Sequence, residues 1–235
     1  MRIITPTNIA RYSECPRFCY HSWKENQEKI SPLGSLIQNV IQAGYLYWAR
    51  KEKPAPWKLI KSWTETNYIR ELANIEDYKE TKSVLGKLSI WFDNYYLDSY
   101  LGPGITNVPI SLALGNNNFL KDSIPILTSG KILRLFDFVE GDTSQYRMYM
   151  LQNNYLLLSR IWAFQKSTDV LPGEYVRFII GKESIRTMSL TIDNLYLSKA
   201  NCIMKQILQG IKDEVWYPSY GSNCDTCPHK STCRI

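Results

Sequence analysis

Residues 108–138 read VPISLALGNNNFLKDSIPILTSGKILRLFDF, three short apolar runs joined by turn-forming residues. The runs are rich in β-branched, leucine and aromatic side chains, which favour strands. The glycine and asparagine between the first two runs, and the Thr-Ser-Gly between the last two, are typical of tight turns. We therefore predict three consecutive antiparallel strands, at residues 108–114, 123–127 and 132–138.

The chain before these strands has the pattern of helices. Residues 33–49, 57–72 and 78–100 carry apolar side chains at helical spacing. Thr5 followed by Pro6 is typical of a helix start, with a hydroxyl cap and a proline in the first turn. The first part of the chain is therefore predicted to be mostly helical.

The chain after these strands alternates between the two kinds of element. A long amphipathic helix is predicted at residues 143–165 and strands at 175–180 and 185–191. A last helix is predicted at 193–212, with Asp193 as its cap. The order of elements predicts an α/β (α+β) fold with a sheet flanked by helices.

The length of 235 residues is enough to bury a sizeable core in one domain. We predict a single domain over residues 1–235. It has a helical part at 33–104 and a sheet core with the long helix at 105–191. No internal repeat is found.

The composition favours anionic partners and argues against a membrane. The net charge is +6, from 28 basic and 22 acidic residues. A basic surface attracts nucleic acid and other anions. No secretory signal and no transmembrane stretch is recognised, so we expect a cytoplasmic protein with no membrane partner.

The cysteines have the spacing of metal ligands. Cys224, Cys227 and Cys233 can turn their sulfurs toward one point, and Cys15 is the candidate fourth partner. In a reducing compartment such thiols suggest ligation more than disulfides, the alternative being thiols with no metal. A metal held by residues 1–24 and 213–235 would tie the termini together and make folding metal-dependent. Cys202 lies in an apolar helical pattern and is predicted to be a core residue.

Two terminal segments carry a resemblance to a known family. Residues 4–20 read ITPTNIARYSECPRFCY and residues 217–233 read YPSYGSNCDTCPHKSTC. With the order of elements, they resemble the iron-sulfur RecB-type nucleases of the PD-(D/E)XK superfamily. CRISPR-associated RecB-like exonucleases and the AddB nuclease domain belong to this group. The resemblance implies a restriction-endonuclease-like core with a mixed sheet.

The resemblance also implies a metal centre. Cys15, Cys224, Cys227 and Cys233 would bind a 4Fe-4S cluster, for which four thiolates are the common ligands. Zinc is the alternative, because spacing cannot separate the two metals. Cys19 follows close enough on a helix to substitute as a ligand, or it is a packed thiol.

The family's catalytic motif is incomplete in this sequence. The chemistry needs two carboxylates on adjacent strands for Mg²⁺ or Mn²⁺ and a lysine two residues after the second. In the best register, Pro125 takes the place of the first acid and Val139 that of the lysine. Gln38 takes the place of a helix-borne histidine. Asp137 is then the single matching acid, and we expect it to be insufficient for catalysis.

Other residues near the motif leave an active site open as an alternative. Asp122, Glu140 and Asp142 lie nearby, and Glu140 is the most credible second acid, although a three-residue shift reverses the strand face. Lys121 and Lys131 are the nearest lysines. The alternative is a metal-dependent DNA exonuclease with a rearranged site.

One family motif does match. Gln145 and Tyr149 resemble the Gln-x-x-x-Tyr element that contacts nucleic acid, and at this spacing they would share a helix face. Arg147 and Arg160 lie on or near the same predicted helix and could meet phosphates. We predict a catalytically impaired protein that binds nucleic acid, DNA in particular, or serves as a subunit with protein partners in a DNA-processing or mobile-element complex. A protein scaffold without nucleic-acid contact is a third alternative.

Overall fold

The structure of the chain is a computed structural model. It describes residues 2–25, 32–73, 85–86, 88–90, 104–115, 117–129, 131–140, 142, 144–181, 185–219, 224–225, 227–231 and 233. Most of the helix predicted at residues 78–100 lies outside the described residues.

A mixed sheet of six described strands forms the centre of the fold. The strands are β1 (Arg2–Ile4), β2 (Gly104–Gly115), β3 (Asn118–Ser129), β4 (Leu133–Glu140), β5 (Glu174–Ile180) and β6 (Ile185–Thr191). β2, β3 and β4 pair antiparallel in succession, so the three predicted strands form the expected meander. β4 and β5 are parallel, β5 and β6 antiparallel, and β1 is parallel to the start of β3.

Seven helices with given bounds accompany the sheet in the described part of the chain. They are α1 (Pro6–Glu14), α2 (Pro16–Glu25), α3 (Pro32–Lys51), α4 (Trp57–Ala73), α5 (Met148–Gln152), α6 (Tyr155–Thr168) and α7 (Asn194–Lys212). Thr5 caps α1 with a reciprocal capping box, and Asp193 caps α7, both as the sequence predicts. None of the described helices combines the length and the apolarity that crossing a bilayer needs.

Two hydrophobic layers cover the two faces of the sheet. Leu135 packs in one layer with side chains of α1, α6 and α7, whereas its neighbour Phe136 packs in the other with side chains of α3 and α4. Successive residues of a strand point to opposite faces, which explains this division. Asp137 therefore points to the same face as Leu135, toward α6.

The predicted long helix at residues 143–165 is wrong as one element. The chain instead forms a turn, then the short helix α5, then α6. Asn154 separates the two helices because its extended backbone and its side chain, which accepts a hydrogen bond from the Leu157 amide, cap α6. Asparagine competes with helix continuation through such local bonds.

The core placement predicted for Cys202 is also wrong, because its side chain is exposed. The buried side of α7 is set by Ala200, Met204, Ile207 and Ile211. Residue 202 lies two positions from both 200 and 204, which places it on the opposite side of a helix with 3.6 residues per turn.

The two ends of the chain are joined by contacts between protein groups. The Tyr12 hydroxyl donates to the Val215 carbonyl at 2.9 Å, and Arg2 pairs with Glu214 at 3.2 Å. The Trp216 ring packs edge-on against Tyr12, at 5.7 Å between centroids. These contacts hold β1 and α1 against the residues that follow α7.

Candidate functional site

An aspartate and an arginine face each other on the two parallel strands at the centre of the sheet. Asp137 on β4 is the register partner of Arg177 on β5. Arg177 donates from Nε to Asp137 Oδ1 at 2.9 Å and from Nη2 to Oδ2 at 2.7 Å. Only 4% of the Asp137 side chain and 6% of the Arg177 side chain is exposed, so this bidentate pair is buried.

A second arginine joins this pair to another carboxylate. Arg160 on α6 donates from Nη1 to Asp137 Oδ2 at 3.1 Å. It also donates to both oxygens of Asp122 on β3, at 2.6 and 3.2 Å. Two carboxylates from neighbouring strands thus converge on one guanidinium, the arrangement in which a divalent cation would bridge two acids.

Neighbouring groups shift the pKa values of Asp137, Arg160 and Arg177 in this cluster. Burial raises the pKa of Asp137, but the charge and hydrogen bonds of Arg177, and then Arg160, outweigh it and leave that pKa below its usual range. Burial lowers the pKa values of Arg160 and Arg177, but Tyr175 and Asp122 beside Arg160, and Asp137 beside Arg177, outweigh it and raise both. Asp137, Arg160 and Arg177 therefore stay ionised at neutral pH.

The cluster forms part of the wall of a cavity of about 570 Å³. Gln38, Pro125, Asp137 and Val139 all line it. These are the four positions that the family resemblance assigns to catalytic groups. The chain therefore brings the motif positions together, but they carry an amide, a proline, an ion-paired acid and a valine.

Three residues considered as alternative catalytic groups, Asp142, Lys121 and Lys131, are not among the described residues that line the cavity. Asp142 is exposed, and its carboxylate accepts hydrogen bonds from the Ser144 amide and from the Gln145 side chain. Lys121 and Lys131 are exposed, and neither is among the described residues that line the cavity. The side chain of Glu140 lies outside the description.

The sequence reasoning did not identify the two arginines as partners of the acids. Arg177 interrupts the otherwise apolar strand EYVRFII, and an arginine among buried residues signals an ion pair. The sequence pattern indicates Asp122 only as a replacement acid, and Arg160 only as a phosphate ligand. Their meeting depends on how α6 crosses the sheet, which a local pattern does not contain.

The prediction that Gln145 and Tyr149 share a helix face is wrong. Gln145 lies in a turn, while α5 begins at Met148. Arg147 is the residue before α5, and its guanidinium donates to the carbonyls of Ser144 and Tyr146. Gln145, Arg147 and Tyr149 are exposed and are not among the described residues that line the cavity.

The four predicted cysteine ligands lie around one small cavity between the two ends of the chain. Cys15, Cys224, Cys227 and Cys233 all line it, together with His229. The amides of Phe18 and Ser219 point at Cys15 Sγ, at 3.5 and 3.4 Å. Such N–H donors stabilise a ligated thiolate, and four thiolates suit either an iron-sulfur cluster or zinc.

The chemistry of the side chains around this cavity therefore fits a metal, although the distances between them are not those of a formed metal site. Within the described part of the chain, no three histidine, cysteine or acidic side chains have the spacing that holds a metal ion. Cys19 is not among the lining residues; it is fully buried and donates to the Asn8 carbonyl at 3.2 Å. Burial raises the pKa of Cys19 to about 12, so it is a protonated, packed thiol.

Among comparisons with known proteins, the search of solved structures bears on the fold. No protein-family model matches the sequence, and no curated protein is significantly similar to it. A solved structure from Eubacterium rectale, named "Putative exonuclease", is similar with a TM-score of 0.52 and 13% identity, over 97% of this chain and 88% of that one. The structure of SSO0001 matches with a TM-score of 0.45 and 14% identity, over 100% of this chain and 87% of that one.

The likeness to the Eubacterium rectale protein shows the fold. The chain has a mixed α/β fold with a central mixed sheet flanked by helices, as the sequence predicts. This fold is shared with a protein whose name describes an exonuclease. Activity has to be argued from the site itself, because one fold serves many functions.

Proposed function

We propose that this chain is a nuclease-fold protein that binds nucleic acid without cutting it. One observation carries the proposal: the Arg160 guanidinium bridges Asp122 and Asp137, so the single matching acid of the motif and the carboxylate beside it are already paired with a cation. A cation entering here would have to displace one guanidinium and would still lie near Arg177. Both effects oppose Mg²⁺ or Mn²⁺ binding.

The other motif positions support the same conclusion. Val139 has no charge and no proton to give, so it cannot orient or activate a water molecule as a lysine would. Pro125 has no side-chain oxygen, and Gln38 is a poor substitute for an imidazole ligand. Each change removes a separate part of the chemistry.

The charge of the protein supports nucleic acid as the partner. The net charge of +6 attracts a polyanion, and the fold resembles that of a protein named for acting on nucleic-acid chains. In this proposal the protein works in the cytoplasm on DNA, alone or as a subunit of a DNA-processing or mobile-element complex. Its contribution there is binding and assembly.

A 4Fe-4S cluster, or zinc in its place, belongs to the same proposal. Cys15, Cys224, Cys227 and Cys233 would hold it, supported by their shared cavity and by the amides directed at Cys15. When bound, the metal would supply a cross-link between the ends of the chain. Elemental analysis for iron, sulfide and zinc, with a visible absorption spectrum, tests this part: a folded protein free of all three would contradict it.

Cleavage and binding assays test the main proposal together. Labelled single-stranded and duplex DNA should stay intact with Mg²⁺ or Mn²⁺, while both bind with an affinity that falls as salt rises. Divalent-dependent degradation that is lost in a folded Asp137→Asn variant would contradict the proposal. Degradation that is the same in the variant would come from a contaminating nuclease. Intact DNA with no binding at low salt would favour the protein-scaffold alternative.

A further inference from the structure

The positive charge of the chain is concentrated in one segment, at the end of α3 and the start of α4. Residues 50–63 read RKEKPAPWKLIKSW, with five basic residues and one acidic residue. The segment therefore carries +4, against +6 for the whole chain. Arg50, Lys51, Lys53, Lys58 and Lys61 are all exposed.

A groove of about 530 Å³ runs along this segment, between α3, α4 and β2. Arg50 and Lys51 line it, and no acidic residue is among its described lining residues. Its floor includes large apolar side chains that remain partly accessible: Trp63 is 40% exposed, Leu59 43% and Leu46 38%. Cationic and aromatic groups thus face the same space.

Amide groups complete the lining of the groove. The Gln42 side chain donates to Asn107 Oδ1 at 2.9 Å and to the Pro125 carbonyl at 3.0 Å, which fixes α3 to the sheet. Asn107 lines this groove and also the cavity of the arginine and aspartate cluster, so the two spaces adjoin. Asn39 also lines the groove, and its side-chain amide is suited to hydrogen bonding with the edges of unpaired bases.

We infer that this groove is the binding site for single-stranded nucleic acid, which deepens and rests on the proposed function. Arg50 and Lys51 contact backbone phosphates, and a base stacks on the Trp63 ring. Cationic groups beside an accessible aromatic are the combination that binds single strands, because stacking needs an unpaired base. An acidic protein segment would meet the charges, whereas a single-stranded nucleic acid meets the charges and also supplies flat bases for the Trp63 ring.

The inference moves the nucleic-acid contact away from the residues that the sequence motif indicated. Gln145 and Arg147 precede α5 and Tyr149 lies within it, whereas the groove is lined from α3, α4 and β2. It also leaves the arginine and aspartate cluster out of phosphate binding, because Arg160 and Arg177 are engaged by acids. Substituting residues of the groove shows whether nucleic acid binds there or at the motif residues.

The test is a fluorescence anisotropy titration of the full-length protein with short labelled oligonucleotides. Single-stranded DNA, single-stranded RNA of the same sequence and duplex DNA are compared over a series of salt concentrations. A double variant, Arg50→Gln with Lys51→Gln, removes two charges in the last turn of α3. Its matched control, Lys166→Gln with Lys212→Gln, removes two exposed charges in the last turns of α6 and α7.

The groove variant should bind single strands more weakly, and its slope of log affinity against log salt should decrease by about 1.4, at about 0.7 per phosphate contact. The control pair should keep the slope of the native protein. Trp63→Ala should weaken binding by about 5-fold to 150-fold, while Trp63→Phe, which keeps an aromatic face, should retain most of the affinity. Circular dichroism confirms that each variant is folded.

Other results would show whether the groove assignment alone, or the proposed function as well, is wrong. Native binding that the groove variants leave unchanged would overturn this assignment and leave the proposed function standing. No oligonucleotide binding by the native protein would overturn both. Binding of a poly-glutamate peptide, but not of oligonucleotides, that is lost in the Arg50 and Lys51 variant would instead identify the groove as a protein-binding surface.

Discussion

Replacing Asp137 should expose how much the fold depends on the buried ion pairs. In Asp137→Leu, Arg177 loses both of its hydrogen bonds to the carboxylate while it stays 6% exposed. Removing one partner of a buried pair typically costs about 3–5 kcal/mol, because the remaining charge is left uncompensated. For a chain of this length that corresponds to a melting temperature lower by roughly 6–20 °C.

A second substitution should then restore stability. The double variant Asp137→Leu with Arg177→Met removes both charges and fills the space with apolar side chains, which is often neutral for a buried pair. Arg160 keeps its two hydrogen bonds to Asp122 in this variant. We therefore expect the double variant to be more stable than Asp137→Leu alone, as measured by urea unfolding of the native protein and both variants.

The pH dependence gives an independent check on the same pair. Because the folded-state pKa of Asp137 is lowered, its contribution to stability is present above the unfolded pKa of about 3.9 and is lost as pH falls through the folded value. The difference in unfolding free energy between the native protein and Asp137→Leu should therefore shrink below about pH 4. A difference under about 1 kcal/mol at pH 7, or a double variant less stable than the single one, would refute the reasoning.

Three further predictions concern a close contact, a helix cap and a proposed metal ligand. Gly210→Ala should destabilise the protein by about 1–3 kcal/mol in urea unfolding, because the added Cβ would clash with the Tyr12 hydroxyl and displace it; an unchanged midpoint would contradict this close approach. Asn154→Ala should cost about 1 kcal/mol through loss of the α6 cap, and thermal melts that show no change would argue against the separate helix. Cys227→Ser should lower the iron or zinc content and the melting temperature, whereas the matched change Cys202→Ser at an exposed thiol should alter neither; equal effects would remove the metal-site proposal.

Much of the fold could be predicted from the sequence because local patterns set it. Alternation, turn residues and the Asp193 cap predict the three central strands and the last helix. The sequence pattern does not show the division of the predicted long helix, because the amphipathic pattern continues across Asn154 and only the capping role of that residue breaks it. The three-residue strand β1 is too short to give a pattern of its own.

The candidate site was predictable only in part. The motif positions could be aligned, and Asp137 and Pro125 do line one cavity. The bridging role of Arg160 could not be read locally, because it depends on a contact between α6 and two strands. Strand order and helix crossing bring these groups together, and neither is contained in the spacing of a motif.

A manganese titration followed by electron paramagnetic resonance shows whether the cavity holds a divalent cation, because bound Mn²⁺ loses the sharp signal of the free ion. The cavity of the native protein should take up no Mn²⁺, because Arg160 already bridges Asp122 and Asp137. Asp137→Asn should therefore bind no less Mn²⁺ than the native protein. Stoichiometric Mn²⁺ binding by the native protein that is lost in a folded Asp137→Asn variant would contradict this prediction.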